Sequence, residues 1–248
     1  MAFIFDFLYH LMNSAFGAPV AALQRAVGYH PHNPAMPISE PFTLELLTMV
    51  ILLIFFVIVR LQLSVEKPGP LQQFSEMINE FVESQAEAII GHGYEPHIAF
   101  VTIIFVYLLF CNCYGLLPGV ETPTADAVVP LGFAIPTFLY YNYIGFRTQG
   151  VWGYIKEFMG PVWWLVPLML PVEIISHLAR NLSLTVRLYA NMLASDLLVL
   201  VFFSMIPFGI PIVFLGLHLG VAVIQAYVFM LLAMIYLANA MMGHDEAH

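Results

Sequence analysis

The apolar positions of this chain are grouped in long runs that are interrupted by few charges. A helix that crosses the hydrocarbon core of a membrane needs about 20 predominantly apolar residues. The pattern predicts five such segments, at residues 42–63, 96–117, 128–146, 162–206 and 208–242. The last two are longer than one perpendicular crossing requires, so we expect strong tilt or a break in each.

Residues 71–90 also have helical periodicity, but their pattern differs from that of the membrane segments. Six apolar residues recur at helical spacing: Leu71, Phe74, Ile78, Phe81, Val82 and Ile89. Four glutamates follow another side of this segment: Glu76, Glu80, Glu83 and Glu87. Four charges oppose insertion into the hydrocarbon core, so the pattern predicts an amphipathic helix that lies along the membrane surface.

Composition indicates the same class of fold. Hydrophobic residues make up 61% of the 248 residues, charged residues make up 9%, and the mean hydropathy is +0.87. A soluble domain carries about 25% charged residues. The sequence therefore predicts an all-α polytopic membrane protein with about five transmembrane helices, in a single membrane domain over residues 1–248. The formal net charge of −9 does not indicate a nucleic-acid partner, because most acidic residues lie in loops and on the amphipathic segment.

Basic residues predict the orientation of the chain. Four cations lie at the end of the first predicted span or in the loops after the first and third predicted spans: Arg60, Lys67, Arg147 and Lys156. Loops that carry lysine and arginine usually stay on the cytoplasmic side, so we expect the surface helix on that side as well. The N-terminal segment 1–41 is then outside and the C-terminal tail 243–248 is inside. Arg25 is the one loop cation that this orientation leaves on the outer side.

Charged residues are rare from residue 161 to residue 240, and all of them fall in the fourth predicted span: Glu173, Arg180, Arg187 and Asp196. At about 100° per residue, one arc of this helix contains Glu173, His177, Arg180, Arg187 and Asn191, with Ser183 at its border. Asp196 points to the opposite side, about 13 Å along the axis from Arg187 and about 34 Å from Glu173. An arginine at a helix centre in a membrane costs roughly 2.5–3.5 kcal/mol, so we expect Arg187 to have a function.

The fourth and fifth spans are predicted to form an antiparallel hairpin around the proline-containing turn between them. Residues at one depth then have numbers that add to about 413, because both helices rise equally per residue. His218 is therefore expected to meet Asp196, and Gln225 is expected to meet Arg187.

Buried polar groups also have simpler explanations. Polar side chains can hold membrane helices together, which is the alternative for Ser183 and Asn191. The alternative for Arg187 is an internal ion pair with one of the two acids, which the predicted depths disfavour. Intramembrane titratable groups mark ion paths by default, and an Asp–His pair at one depth suits a proton relay.

Gly216 and Gly220 flank His218 in a small-xxx-small pattern, which predicts close approach of two helix backbones.

Three other classes of membrane protein are alternatives. A secondary transporter also holds buried Arg, Asp and His, but such folds usually have internal repeats and paired broken helices, and no repeat is visible in this sequence. A membrane metalloenzyme needs grouped histidines, whereas the nine histidines here are scattered. A channel gated in isolation would need no partner for Arg187. The sequence predicts no metal site and no cofactor.

Several segments that carry these polar residues resemble subunit a of F-type ATP synthases. They are residues 183–196, 218–229, 171–173, 110–118 and 123–126. The specific part is Arg187-Leu-x-x-Asn191 with a histidine and a glutamine at the distances of His218 and Gln225. The likeness covers roughly residues 42–240, including the surface helix.

The resemblance implies a non-catalytic stator subunit that couples proton flow to rotation and ATP synthesis. In that family an invariant arginine faces a carboxylate on each rotor subunit, and the resemblance implies this role for Arg187. It also implies two aqueous half-channels that are offset across the membrane. The outer one would contain Asp196, His218 and Asn112. The inner one would contain Glu173 and Ser176, and the rest of the proton path would contain Gln225, Asn191 and Ser183.

The same resemblance implies the partners and the location. The partners would be the ring of c subunits, the b-type peripheral stalk, the remaining subunits of the ATP synthase and membrane lipid. The location would be an energy-transducing membrane, with the bacterial inner membrane as the first expectation.

The chain departs from the usual pattern of that family at a few positions. Ala190 stands where glycine is common, and Asp196 stands where glutamate is frequent. The shorter acid is expected to lengthen the reach to His218 and to leave room for a water between them. Val128 stands where a polar residue often follows the aspartate, which argues against a channel role for Asp126.

Overall fold

The computed structural model describes residues 2–26, 37–64, 68–117, 120, 122–159, 166–205 and 210–241. Within these ranges the chain forms α-helices and no strand, which confirms the predicted all-α class. The helices are α1 (Ala2–Ala26), α2 (Glu40–Leu61), α3 (Pro70–Ile90), α4 (Ile98–Cys113), α5 (Val128–Met159), α6 (Val166–Met205) and α7 (Ile210–Met241). Short 3₁₀ turns lie at Glu95–His97, Tyr114–Leu116 and Pro123–Ala125.

Four helical segments of the described chain are long and apolar enough to cross a membrane: Glu40–Leu61, Glu95–Leu116, Val166–Met205 and Ile212–Met241. They confirm a polytopic membrane protein. Helix α5 contains the predicted span 128–146 but is not one of the four. A crossing by α5 therefore stays a prediction, although α5 packs against α6 and α7.

The ends of α3 follow from its sequence. Pro70 lies in the first turn, where a missing N–H costs no hydrogen bond. Gly91 ends the helix with a φ of 74°, a conformation that glycine adopts at little cost. Between these ends, Val82, Ala86 and Ile90 recur one turn apart and are buried. This stripe belongs to the core in which α3 packs against α4 and α7.

Part of the predicted apolar side of α3 stays uncovered. Leu71, Phe74 and Phe81 are 42%, 47% and 41% exposed. The side of α3 that packs against the other helices is therefore centred on Ala86 and not on these large residues. The small side chain of Ala86 allows closer contact with neighbouring helices than a large side chain would. The position of α3 along a membrane surface stays a prediction.

Helix α5 is longer than the predicted segment 128–146. It resumes after a local break at Gly150, where φ is 75° and ψ is 162°. Glycine tolerates this positive φ, so the chain changes direction there. The segment after the break lies against the earlier part of α5: the hydroxyl of Tyr154 donates a hydrogen bond to Asn142 Oδ1 at 2.8 Å. The ring of Tyr154 lies where a side chain at Gly145 would otherwise be.

Helix α7 is the centre of the described bundle and packs against α3, α4, α5 and α6. Its buried residues include Ala222, Ala226, Phe229, Met230 and Met234. Helix α6 contributes Leu184, Leu188 and Met192, which share one side at helical spacing. Much of α6 is uncovered, since large apolar residues such as Leu178, Leu182 and Leu200 are 58%, 61% and 66% exposed.

The N-terminal segment predicted at residues 1–41 contains a helix, α1, that the sequence pattern did not indicate. Asn13 joins α1 to the residues that precede α2. Its Oδ1 accepts a hydrogen bond from the N–H of Ile38 at 3.0 Å, and its Nδ2 donates to the carbonyl of Ile38 at 3.3 Å.

Several predicted features lie outside the described residues. They are Lys67, the side chains of Arg25 and Lys156, the turn between α6 and α7, and the tail 243–248. The orientation inferred from the basic residues therefore stays a prediction.

Candidate functional site

The two polar matches predicted between α6 and α7 can be compared with the observed contacts. Nδ1 of His218 lies 3.3 Å from Oδ1 of Asp196. Asn191 donates a hydrogen bond from Nδ2 to Oε1 of Gln225 at 3.0 Å. The residue numbers of both pairs add to within three of the expected value of about 413. Gln225 thus bonds to Asn191, one helical turn beyond Arg187, rather than to Arg187 as predicted.

Asp196 is held by Thr122, which lies in the connection between α4 and α5. The hydroxyl of Thr122 donates to Oδ1 of Asp196 at 2.8 Å, and the backbone N–H donates to Oδ2 at 3.2 Å. The separation of 3.3 Å between Nδ1 of His218 and Oδ1 of Asp196 leaves no space for a water between these two side chains. The expected longer reach of the shorter acid was therefore wrong, because the connection before α5 approaches the carboxylate.

His218 is fully buried, and its neighbours determine which ring nitrogen carries a hydrogen. Nε2 lies 3.1 Å from the backbone carbonyl of Asn112. A carbonyl only accepts hydrogen bonds, so Nε2 carries a hydrogen in both charge states of the ring. Nδ1 lies 2.8 Å from Oγ of Ser195, beside Asp196. In the neutral ring Nδ1 accepts from Ser195, and in the charged ring it can donate to Asp196.

Asn112 is also fully buried, and its side chain is oriented by two hydrogen bonds. Oδ1 accepts from the hydroxyl of Thr124 at 2.7 Å, and Nδ2 donates to the carbonyl of Ala222 at 3.2 Å. These contacts connect α4 and α7 with the 3₁₀ turn that precedes α5. We refer to Asp196, His218, Thr122, Ser195, Asn112 and Thr124 as the Asp196 cluster.

A glycine makes room for this cluster, although it is not one of the glycines that the sequence indicated. A Cβ at Gly115 would overlap the ring of His218 and the hydroxyl of Thr122. A Cβ at Gly216 or Gly220 would meet nothing within 4 Å among the described residues. The predicted close approach at these two positions was therefore wrong.

A cavity of about 710 Å³ borders the Asp196 cluster. Its polar lining includes Asp196, Thr122, Asp126 and Tyr189, and most of its other walls are apolar. This volume is far larger than one water molecule needs. The carboxylate of Asp196 can therefore contact water while His218 stays buried, and Asp126 shares the same cavity.

Arg187 has no hydrogen-bond acceptor among the described residues. Its Nε and Nη2 atoms are shielded from solvent without a partner, and so is Nε2 of Gln225. The two acids of α6 are engaged elsewhere, Glu173 with His177 and Arg180, and Asp196 with His218. Within the described chain, the internal ion pair that was the alternative for Arg187 is not formed.

A second charged group lies nearer the beginning of α6. Oε1 of Glu173 lies 3.4 Å from Nε2 of His177 and 3.9 Å from Nη2 of Arg180. Nδ1 of His177 lies 3.4 Å from the hydroxyl of Tyr141 on α5. Glu173 and Arg180 are 36% and 40% exposed, whereas His177 is 16% exposed. We refer to Glu173, His177, Arg180 and Tyr141 as the Glu173 cluster.

The remaining predicted residues are less involved in these contacts. Ser176 is half-buried and Ser183 is exposed, and no hydrogen bond in the described chain joins either one to another predicted site residue. Sequence reasoning missed Thr122, Ser195, Thr124 and Tyr141. For two of them the available signal was their position, since Ser195 adjoins Asp196 and Thr124 lies within the segment 123–126.

Comparison with known proteins shows the family to which this chain belongs. The ATP synthase A chain family matches residues 42–238. ATP synthase subunit a of Koribacter versatilis is 46% identical over 235 residues, which cover 94% of this chain and 96% of that protein. The subunit a of Solibacter usitatus is 44% identical over 225 residues, with coverage of 91% and 95%. That of Geobacter sulfurreducens is 38% identical over 181 residues, with coverage of 73% and 77%. The chain therefore belongs to the ATP synthase subunit a family and is a multi-pass membrane protein of proton transport and ATP synthesis.

Proposed function

We propose that this chain is the stator channel of a rotary ATP synthase, and that Arg187 faces the carboxylate carried by each rotor subunit. The observation that carries the proposal is the set of buried Arg187 nitrogens that have no acceptor in the described chain. An unpaired buried charge is strongly unfavourable unless a partner compensates it. A carboxylate on a neighbouring protein would supply the missing acceptor.

The surface around Arg187 supports a protein partner on this side of α6. Val186 is 51% exposed, and Ser183, Ala190, Asn191 and Ala194 are exposed as well. Small residues on a membrane helix allow another helix to approach closely. A ring of c subunits that turns past this surface would bring successive carboxylates to Arg187.

The two clusters support two offset half-channels. Glu173 and Asp196 are about 34 Å apart along α6, and Arg187 lies between them, about 21 Å from Glu173. A hydrocarbon core is about 30 Å thick. Tilt of α6 reduces the depth difference between the two acids, but it keeps Glu173 toward the face at which α6 begins and Asp196 toward the face at which it ends. We assign Asp196, His218 and Asn112 to the outer half-channel, and Glu173 and Ser176 to the inner one. The N-terminus is then outside and the C-terminus is cytoplasmic, in the inner membrane of a bacterium.

Proton transfer would follow from these positions. A proton enters through the cavity beside Asp196, exchanges with Nδ1 of His218 and neutralises a rotor carboxylate. Rotation carries that carboxyl group around the ring. When it approaches Arg187 from the other side, the fixed positive charge favours the ionised acid, and the proton leaves toward Glu173. Arg187 also separates the two paths, because a cation opposes the passage of a free proton.

The proposal includes further partners. A stator must be fixed against the torque of the rotor, so we assign b-type peripheral-stalk subunits and the remaining ATP synthase subunits as partners, with lipid around the other apolar surfaces. The chain itself would perform no bond chemistry and would need no cofactor.

Replacement of Arg187 tests the proposal in the assembled complex. Lysine keeps a positive charge but lacks the planar fork and can lose its proton when buried. Arg187→Lys should abolish proton-driven ATP synthesis in membrane vesicles, while the amount of assembled complex is unchanged. The matched control is Arg60→Lys at the exposed end of α2, which should leave synthesis intact. Normal synthesis by Arg187→Lys would refute the proposed role.

A further inference from the structure

The Glu173 cluster contains a histidine to which the two half-channels assign no task. His177 lies between an acid and a phenol: Nε2 faces Glu173 at 3.4 Å, and Nδ1 faces Tyr141 at 3.4 Å. Its side chain is 16% exposed, so it is more enclosed than either charged neighbour. A titratable group that bridges an acid and a second hydrogen-bonding partner within a membrane span is a candidate proton carrier.

The charges around His177 act in opposite directions: the carboxylate of Glu173 favours a proton on His177, and the cation of Arg180 opposes it. On its own helix it faces Glu173 and Arg180. From α5 it faces Tyr141, whose ring in turn packs against Tyr236 of α7, with centroids 5.8 Å apart. Arg180 is a permanent cation beside Glu173, so the carboxylate keeps an opposite charge whether His177 is neutral or protonated. The acid therefore does not depend on His177 for its charge compensation.

The position of His177 along α6 also matters. Glu173 and Arg187 are about 21 Å apart along the axis, and His177 is one turn closer to Arg187, at about 15 Å. A proton that leaves the rotor near Arg187 would therefore reach a protonatable group earlier at His177 than at Glu173. The enclosed histidine comes first on that path and the more exposed acid comes second.

We propose that His177 is a proton-carrying residue of the inner half-channel and exchanges a proton directly with Glu173. The inference rests on the proposed function, because it assumes that the Glu173 cluster serves proton exit. In the step that moves a proton toward the cytoplasm, the N–H bond at Nε2 of charged His177 breaks and an O–H bond forms on Glu173. This leaves a neutral imidazole that keeps its hydrogen on Nδ1, toward Tyr141. Release of the proton from Glu173 to water restores the carboxylate beside Arg180, and no electrons are transferred.

Three variants in the assembled complex test this role. His177→Gln can bond both neighbours but cannot carry a proton, and His177→Ala removes both contacts. The control is His10→Gln, since His10 forms an equivalent i,i+4 contact of 3.5 Å with Asp6 on exposed α1. We would measure proton flux through the membrane sector in vesicles as a function of pH on the Glu173 side, between about pH 5 and 8, where imidazole titrates. A positioned general acid or base contributes about a hundredfold or more, so a loss of at least about tenfold is expected for His177→Gln.

The expected result has three parts. His177→Gln loses flux and loses the pH dependence across this range, added imidazole restores part of the flux of His177→Ala, and His10→Gln behaves as wild type. A purely structural role predicts instead that His177→Gln retains flux and the wild-type pH profile, which would overturn the inference. Arg187→Lys in the same vesicles distinguishes a failure of the proposed role of His177 from a failure of the proposed function. If it abolishes coupling while His177→Gln is normal, only the role of His177 is wrong; if Arg187→Lys is normal, the proposed function itself is wrong.

Discussion

Replacing Asp196 and His218, singly and together, tests whether the two residues transfer protons as one unit. Asp196→Asn keeps one oxygen, which can accept one of the two hydrogen bonds from Thr122, but its side chain cannot be protonated in the working range. His218→Gln keeps hydrogen-bonding groups near Ser195 and Asn112 but cannot titrate. Each variant therefore removes proton exchange while it retains most of the local contacts.

The expected coupling follows from the distance between the two groups. At 3.3 Å, opposite unit charges attract by about 5 kcal/mol when the effective dielectric constant is about 20. The cost of burying the charged ring of His218 offsets part of this attraction. A net coupling of about 2 kcal/mol lies within the range measured for residues in contact. Since about 1.4 kcal/mol is a tenfold change in rate, this coupling corresponds to about thirtyfold.

The assay is the rate of proton flux through the membrane sector, corrected for the amount of assembled complex. If each single variant slows the flux about thirtyfold, independent effects would multiply to about a thousandfold in the double variant. Action as one unit predicts that the double variant is about as slow as either single variant. His97→Gln provides the control, since His97 is a buried histidine at the other end of α4 that contacts Tyr140 at 2.8 Å. Combined with Asp196→Asn, it should give a simple product. Multiplicative losses for Asp196→Asn with His218→Gln would refute the shared role.

Two further predictions follow from the same geometry. Gly115→Ala should displace the ring of His218 and lower both stability and proton flux, with a loss of about 1–3 kcal/mol in the free energy of unfolding for an overpacked site. Gly132→Ala is the control, because a Cβ there meets nothing within 4 Å. Equal thermal stability of the two variants would contradict the argument. Single cysteines at Glu173 and Asp196 should react with a small aqueous thiol reagent from opposite sides of the membrane, the first from the cytoplasm and the second from outside. Equal reaction of both from one side would contradict the offset half-channels.

The pairing of α6 with α7 could be predicted because both helices carry isolated polar residues in apolar surroundings. A helix rises equally per residue, so a count from the turn brings His218 to the depth of Asp196 without any knowledge of packing. The count has a tolerance of about one turn, however. It could not decide whether Gln225 bonds to Arg187 or to Asn191, since these two residues are themselves one turn apart.

The residues outside the α6–α7 hairpin that contact these side chains could not be predicted, for a different physical reason. Thr122 reaches Asp196 across 74 positions of sequence, through a connection whose path is set by the packing of α4 and α5. Tyr141 meets His177 in the same way, across 36 positions. Helical periodicity contains no information about such contacts. The wrong expectation for the Asp196–His218 distance came from considering the length of the acid alone, without the loop that approaches it.

The hydrogen bonding of the described residues separates what this chain can do alone from what requires a partner. Asp196, His218 and Asn112 each have hydrogen-bond partners within the chain, so their geometry is already formed before any rotor is present. Arg187 differs, because its shielded nitrogens have no acceptor in the described chain. A preformed hydrogen-bonded cluster around Asp196, together with an arginine on the same helix that lacks an acceptor, is the arrangement expected under the proposal that proton delivery belongs to this chain and the moving carboxylate belongs to another. Variants of the Asp196 cluster should therefore change the rate of proton exchange, whereas variants of Arg187 should change whether that exchange is coupled to rotation.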